Sequence, residues 1–97
     1  MSYRKGTVLL IGYIDVPADR LAEVKEALRL HIDLTRKETG CIFFNVDPSD
    51  EIEGRFKVSE AFVDQAAFDA HQARARISPW AIASEGIPRD YKISVVE

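Results

Sequence analysis

Two histidines, and one acid on an apolar strand face, carry most of the chemistry this sequence offers. His31 and His71 titrate near neutrality when unperturbed, so either can accept or return a proton at working pH. Glu60 stands in the run Arg55-Phe56-Lys57-Val58-Ser59-Glu60-Ala61-Phe62. Side chains alternate along a strand, so Phe56, Val58, Glu60 and Phe62 share one face, where Glu60 is the only acid. A carboxylate there must be hydrogen-bonded, paired or protonated, because isolated burial is costly. Phe44, Phe62, Phe68 and Trp80 offer flat apolar walls for a ligand, and Asn45 a hydrogen-bond partner for a carbonyl oxygen.

Each of these has a plainer reading. His31 can sit at a core edge bonded to a carbonyl, His71 can pack its ring on Phe68, and Glu60 can tie helix to sheet. Trp80 can anchor a short helix, and Asn45 can bond across strands. Cys41 reads as a small buried hydrophobe, with no basic neighbour to activate it. The chain has no glycine-rich phosphate loop, His-Glu-x-x-His, Cys-x-x-Cys or nucleophile elbow. Two distant histidines make a poor ligand set, so no metal site is expected.

The elements that must position these residues follow from periodicity. Thr7–Ile14 is rich in β-branched and aromatic residues and apolar at odd and even positions alike, which predicts a strand covered on both faces. A helix starts at Pro17 or Asp19 and runs to about Lys37. On it Leu21, Val24, Leu28, Ile32 and Thr35 share one face beside His31, and Ala27, Leu30 and Leu34 widen the apolar arc. Gly40 is read as a left-handed stop.

A strand over 41–47 comes next, with Ile42, Phe44 and Val46 on one face and Cys41, Phe43, Asn45 and Asp47 on the other. The turn 48–54 leads into the strand 55–62. Asp64 caps a helix from Gln65 to about Arg74, residues 77–83 form a short third helix with Pro79 in its first turn, and 91–96 is a terminal strand. The order is βαββαβ with an extra short helix: an α+β, ferredoxin-like antiparallel sheet.

The 97 residues are expected to form a single domain, 1–97. Thirteen basic against 16 acidic side chains give a net charge of -3, which argues against a nucleic-acid partner. No run approaches a membrane span and no secretory leader is evident, so neither membrane nor export is expected. The single cysteine suits a reducing, cytoplasmic setting. Helices on one side of the sheet would leave the other face bare, with strand one apolar there and Phe43 opposite Phe44. A homodimer that pairs those faces is expected.

Three motifs in order resemble the antibiotic biosynthesis monooxygenase family of dimeric α+β barrels. They are Glu38-x-Gly40-Cys41, Val58-Ser59-Glu60-Ala61-Phe62-Val63-Asp64 and Phe68-Asp69-Ala70-His71. The resemblance spans residues 7 to 96 and departs at Thr39 for the usual proline, at Phe62 for the usual tryptophan, and in a longer gap before Ser78-Pro79-Trp80. It implies a pocket between sheet and helices in each protomer. It also implies oxidation of a quinol- or anthrone-like aromatic by O2 with no metal or flavin. In that chemistry His31, His71 or Glu60 supplies the base, with His31 preferred, and Asn45 or Trp80 steadies the oxyanion.

The resemblance also covers other activities. A haem-degrading branch is disfavoured, because strand one has no Asn and the late segment has Trp80 rather than His. An isomerase branch would need phosphate ligands from Arg55, Lys57 or Arg89. A non-catalytic small-molecule-binding or stress-associated dimer is the remaining alternative.

Overall fold

Among the described residues, 3–97, the computed structural model runs β1 (Val8–Asp15), α1 (Leu21–Arg36), β2 (Cys41–Pro48), β3 (Arg55–Phe62), α2 (Gln65–Arg76), α3 (Pro79–Ala83) and β4 (Arg89–Val95). One 3₁₀ turn at Ala18–Arg20 precedes α1, so the helix proper begins later than Pro17 or Asp19 suggests. The four strands are antiparallel neighbours in the order β2-β3-β1-β4, the ferredoxin-like arrangement with α3 added.

The alternation on β3 holds as read. Phe56, Val58, Glu60 and Phe62 are buried beneath the helices, and Glu60 is flanked by Leu10 of β1 and Phe44 of β2. On β2 the alternation breaks. A register shift between Cys41 and Phe43 leaves Ile42 as the extra, exposed residue of a bulge. Cys41 therefore pairs with Phe62 and packs on the core, while Phe44 and Val46 keep their expected side.

Gly40 also differs from its expected role. Its backbone is not left-handed, and α1 ends at Lys37 in ordinary helical geometry. The glycine is needed for space instead, since a Cβ there would collide with the Cβ of Ala67 near the start of α2. That close approach, with the Asp64 carboxylate accepting from the Ala67 N–H at 2.8 Å, fixes how α2 enters the helical layer.

The core has two apolar clusters. One gathers Ile14, Val24, Leu28, Phe56 and Trp80, and the other Val8, Leu10, Val58, Phe62 and Phe68. Two imidazoles join them. His31 stacks on Trp80 of the first cluster, with centroids 5.3 Å apart and planes 9° apart. His71 lies 4.8 Å from the Phe62 ring of the second, and the two histidine rings are 5.6 Å apart. Arg20 secures α3 by donating to the carbonyls of Ala83 and Glu85.

The opposite sheet face carries Leu9, Ile11, Tyr13, Phe43 and Ala61, and Ile11 is 59% exposed. Arg55 is on this face, bound to Asp15 at 2.7 and 2.9 Å with its guanidinium 3.6 Å from the Tyr13 ring centroid. No helix among the described residues is long and apolar enough to cross a membrane.

Candidate active site

Between the helices and the covered sheet face lies a cavity of about 310 Å³. Leu10, Ile14, Phe44, Val58 and Glu60 rise from the sheet to form its floor. Leu28 and His31 of α1, His71 of α2 and Trp80 of α3 close it from above. These inner residues are buried; the exposed liners Arg76, Glu85, Arg89 and Ile93 mark its rim. The stripe Val24, Leu28, His31, Thr35 brings His31 inward, and the spacing of Phe68 and His71 does the same for His71 on α2.

His71 is held by a residue given no role from sequence. Its Nδ1 lies 2.8 Å from Glu38 Oε1, and Arg74 Nε donates to Glu38 Oε2 at 2.6 Å. Arg74 Nη2 donates to Thr35 Oγ1 at 2.9 Å, and the Thr35 hydroxyl donates to the His31 carbonyl at 2.7 Å. Glu38 is the acceptor in this chain, so the His71 hydrogen sits on Nδ1 and Nε2 presents a bare lone pair. Glu60 Oε1 is 3.7 Å from that Nε2, beyond hydrogen-bond length, and has no partner among the described residues. An oxygen atom above the gap would lie within about 2.8 Å of both groups. With Glu60 protonated, the pair can donate to a bound oxygen while the Nε2 lone pair is free to accept a proton from the same ligand.

His31, Glu60, His71, Phe44 and Trp80 all line the cavity. Phe62 and Phe68 do not: they pack edge to face at 5.6 Å behind His71 and set its ring plane. Asn45 is outside, exposed on edge strand β2, where its side-chain oxygen accepts a 3.3 Å hydrogen bond from Arg36. As residue 45 it alternates away from Phe44, and the bulge at Ile42 does not change that relation. Of the cations suggested for a phosphate, Arg55 and Lys57 are on the opposite face and only Arg89 reaches the cavity. Among the described residues no three His, Cys, Asp or Glu side chains gather to hold a metal ion. Sequence reasoning missed Glu38, Arg76 and Tyr91. For Glu38 the signal was present in the motif Glu38-x-Gly40-Cys41, just past the end of α1.

The sequence pattern described as antibiotic biosynthesis monooxygenase matches residues 7–80, most of the chain. The chain belongs to this family. No curated protein matches it. Among solved structures it is similar to a candidate antibiotic biosynthesis monooxygenase from Nitrosomonas europaea, with 26% identity and a TM-score of 0.79 over 90% of this chain and 95% of that one. A candidate family member from Caulobacter crescentus superposes at 0.74 with 19% identity, covering 98% and 93%. SnoaB from Streptomyces nogalater, a cofactor-independent oxygenase crystallised as a point mutant, superposes at 0.77 with 13% identity, covering 94% and 93%. The last two likenesses concern the fold alone. Against the family pattern, Phe62 fills the tryptophan position with a ring on His71, and the longer gap is taken up by α2 extending to Arg76 before α3 returns Trp80 to His31.

In this family member the burial of the cavity's acids and bases shifts their titration. Burial, reinforced by the nearby Glu38 charge, raises the Glu60 carboxyl to about 7. Burial, with His71 and Arg74 adding to it, lowers His31 to about 3, so that ring stays neutral. His71 is also lowered by burial, against the pull of its Glu38 hydrogen bond. The Glu60 and His31 shifts act on stability in opposite directions. As pH rises from 4.5 to about 7 the unfolded chain releases the Glu60 proton while the folded chain keeps it, so stability falls. As pH falls from 6.5 towards 3 the unfolded chain protonates His31 while the folded chain does not, and stability falls again. Comparing wild type with Glu60→Gln isolates the first effect. In urea unfolding, the variant should gain on wild type progressively between pH 4.5 and about 7, by on the order of 3 kcal/mol, and not below that window. A stability difference that does not vary with pH would show that Glu60 titrates normally.

Proposed function

We propose that this chain is a cofactor-independent monooxygenase that oxidises a quinol- or anthrone-like aromatic with O2 in the cavity beneath its helices. The observation that carries the reading is the His71 Nε2 lone pair, oriented by Glu38 and Arg74, facing the cavity beside the buried, unpartnered carboxyl of Glu60. The family match and the cofactor-independent activity named for the similarly folded SnoaB support it.

For an anthrone-type substrate the steps balance without a further reductant. His71 Nε2 takes a proton from the ring methylene, and the Glu60 O–H donates to the oxyanion that forms on the conjugated carbonyl oxygen. The electron-rich anion passes one electron to O2, and the resulting radical pair joins through a new C–O bond. The peroxide anion recovers the proton from His71. Loss of water, breaking the O–O and remaining C–H bonds, leaves a carbonyl. One oxygen atom enters product and the other leaves as water, with all four electrons from the substrate. Phe44, Trp80 and the stacked His31 ring form the apolar walls, so the base is His71 rather than His31.

Oxygen uptake with anthrone tests this. Wild type should consume one O2 per anthraquinone formed, and His71→Ala should lower kcat by about 10²–10⁴-fold. Glu38→Gln should fall less, and His31→Leu least. A loss in His31→Leu as deep as in His71→Ala would return the base role to His31; no acceleration over buffer by wild type would end the enzymatic reading.

The same reading includes a homodimer in the cytoplasm. The open sheet face with Leu9, Ile11 and Phe43 is an apolar surface that a two-fold pairing would cover, and the lone half-buried Cys41 thiol suits a reducing compartment. Sedimentation equilibrium should give twice the 10.9 kDa chain mass, and Ile11→Lys should shift it to the single-chain value. A monomeric wild type at micromolar concentration would contradict the pairing.

A further inference from the structure

The rim of the cavity has a chemistry that the reaction above does not use. Arg76, in the last turn of α2, lines the cavity, is exposed, and makes no hydrogen bond or ion pair with any described residue. Arg89, at the start of β4, lines the same rim. Its Nε donates to the Ile87 carbonyl at 3.3 Å and its Nη2 to the Ser84 carbonyl at 2.7 Å, which fixes the plane of the guanidinium. One carboxylate, Glu85, shares the rim and forms no ion pair among the described residues, and the Gln72 amide stands nearby. The rim thus carries two cations against one anion, on a chain whose net charge is -3. The inner end is the opposite: buried Glu60 keeps an unpartnered oxygen there, beside the lone pair of His71.

We infer that the substrate is a hydroxylated aromatic acid, bound with its oxidisable end at Glu60 and His71 and its carboxylate at the rim against Arg76 and Arg89. This rests on the proposed function and names its substrate class. A planar carboxylate matches the paired donors of a guanidinium, and a pre-fixed guanidinium loses little freedom on binding it. The cavity volume of about 310 Å³ is near the lower limit of common ligand sites, roughly 300–1,000 Å³, and is enough for two or three fused rings. An anionic group at the rim also sets polarity, since the apolar inner walls would desolvate a carboxylate that entered first.

A matched pair of non-reacting probes tests this by calorimetry: 2-naphthol and 6-hydroxy-2-naphthoate, which share the ring hydroxyl and differ by the carboxylate. The naphthoate should bind about fivefold more tightly at low ionic strength, with the advantage shrinking as salt is added. Arg76→Gln, an exposed change that leaves the fold intact, should remove most of that advantage, and Arg76→Glu should reverse it. Neither should change the affinity for 2-naphthol. Equal affinity for the two probes, or an advantage that survives Arg76→Gln together with Arg89→Gln, overturns the assignment while leaving the aromatic site standing. If neither probe binds, the aromatic site and the acid specificity fall together.

Discussion

Glu38 shares one carboxylate between two partners, and the state of the whole cavity depends on that sharing. Its Oε2 accepts from Arg74 and its Oε1 from His71, so a charge that would be costly near an apolar core is neutralised on one side and used on the other. With Nδ1 engaged, His71 has only Nε2 left to face the cavity. Burial then works on each remaining group: it disfavours the charged forms of His31 and His71 and raises the Glu60 carboxyl to about 7. Without the Glu38 link His71 could rotate or change tautomer, and the lone pair would no longer have a fixed direction.

The scaffold serves that arrangement by placing contributions from distant parts of the chain within one cavity. Glu38 lies just beyond α1, Glu60 on β3, and His71 and Arg74 one turn apart on α2. Two tight approaches set the distances. Gly40 lets the start of α2 close onto the α1–β2 connection, and Arg20 clamps the end of α3 so that Trp80 meets His31. The ferredoxin-like sheet leaves its other face free of helices, which is why the apolar residues of β1 divide so cleanly between an inner and an outer set.

Much of this is legible in the residues. Period-two alternation on 55–62 isolates Glu60 on an apolar face, and helical spacing puts His31 and His71 on inward stripes. The family motifs then give the order of elements. What is not legible depends on local geometry or on contacts between elements. A bulge at Ile42 leaves no signal in a run of apolar residues, so simple alternation puts Cys41 and Ile42 on the wrong faces. Gly40 suggests a left-handed turn because glycine serves that need and close packing equally well; only the position of Ala67 separates the two. The residues alone do not separate His31 from His71 as a base. The acceptor that orients a base comes from 33 positions away in the chain and faces His71. Asn45 is drawn in by its neighbour Phe44, though alternation alone sends it outward.

The most direct test is the ¹⁵N spectrum of the His71 imidazole in the folded protein at neutral pH. The account predicts a neutral ring with its hydrogen on Nδ1 and an unprotonated Nε2, changing to the ordinary mixture of tautomers in Glu38→Gln. A ring protonated on Nε2, or an imidazolium at that pH, would contradict it.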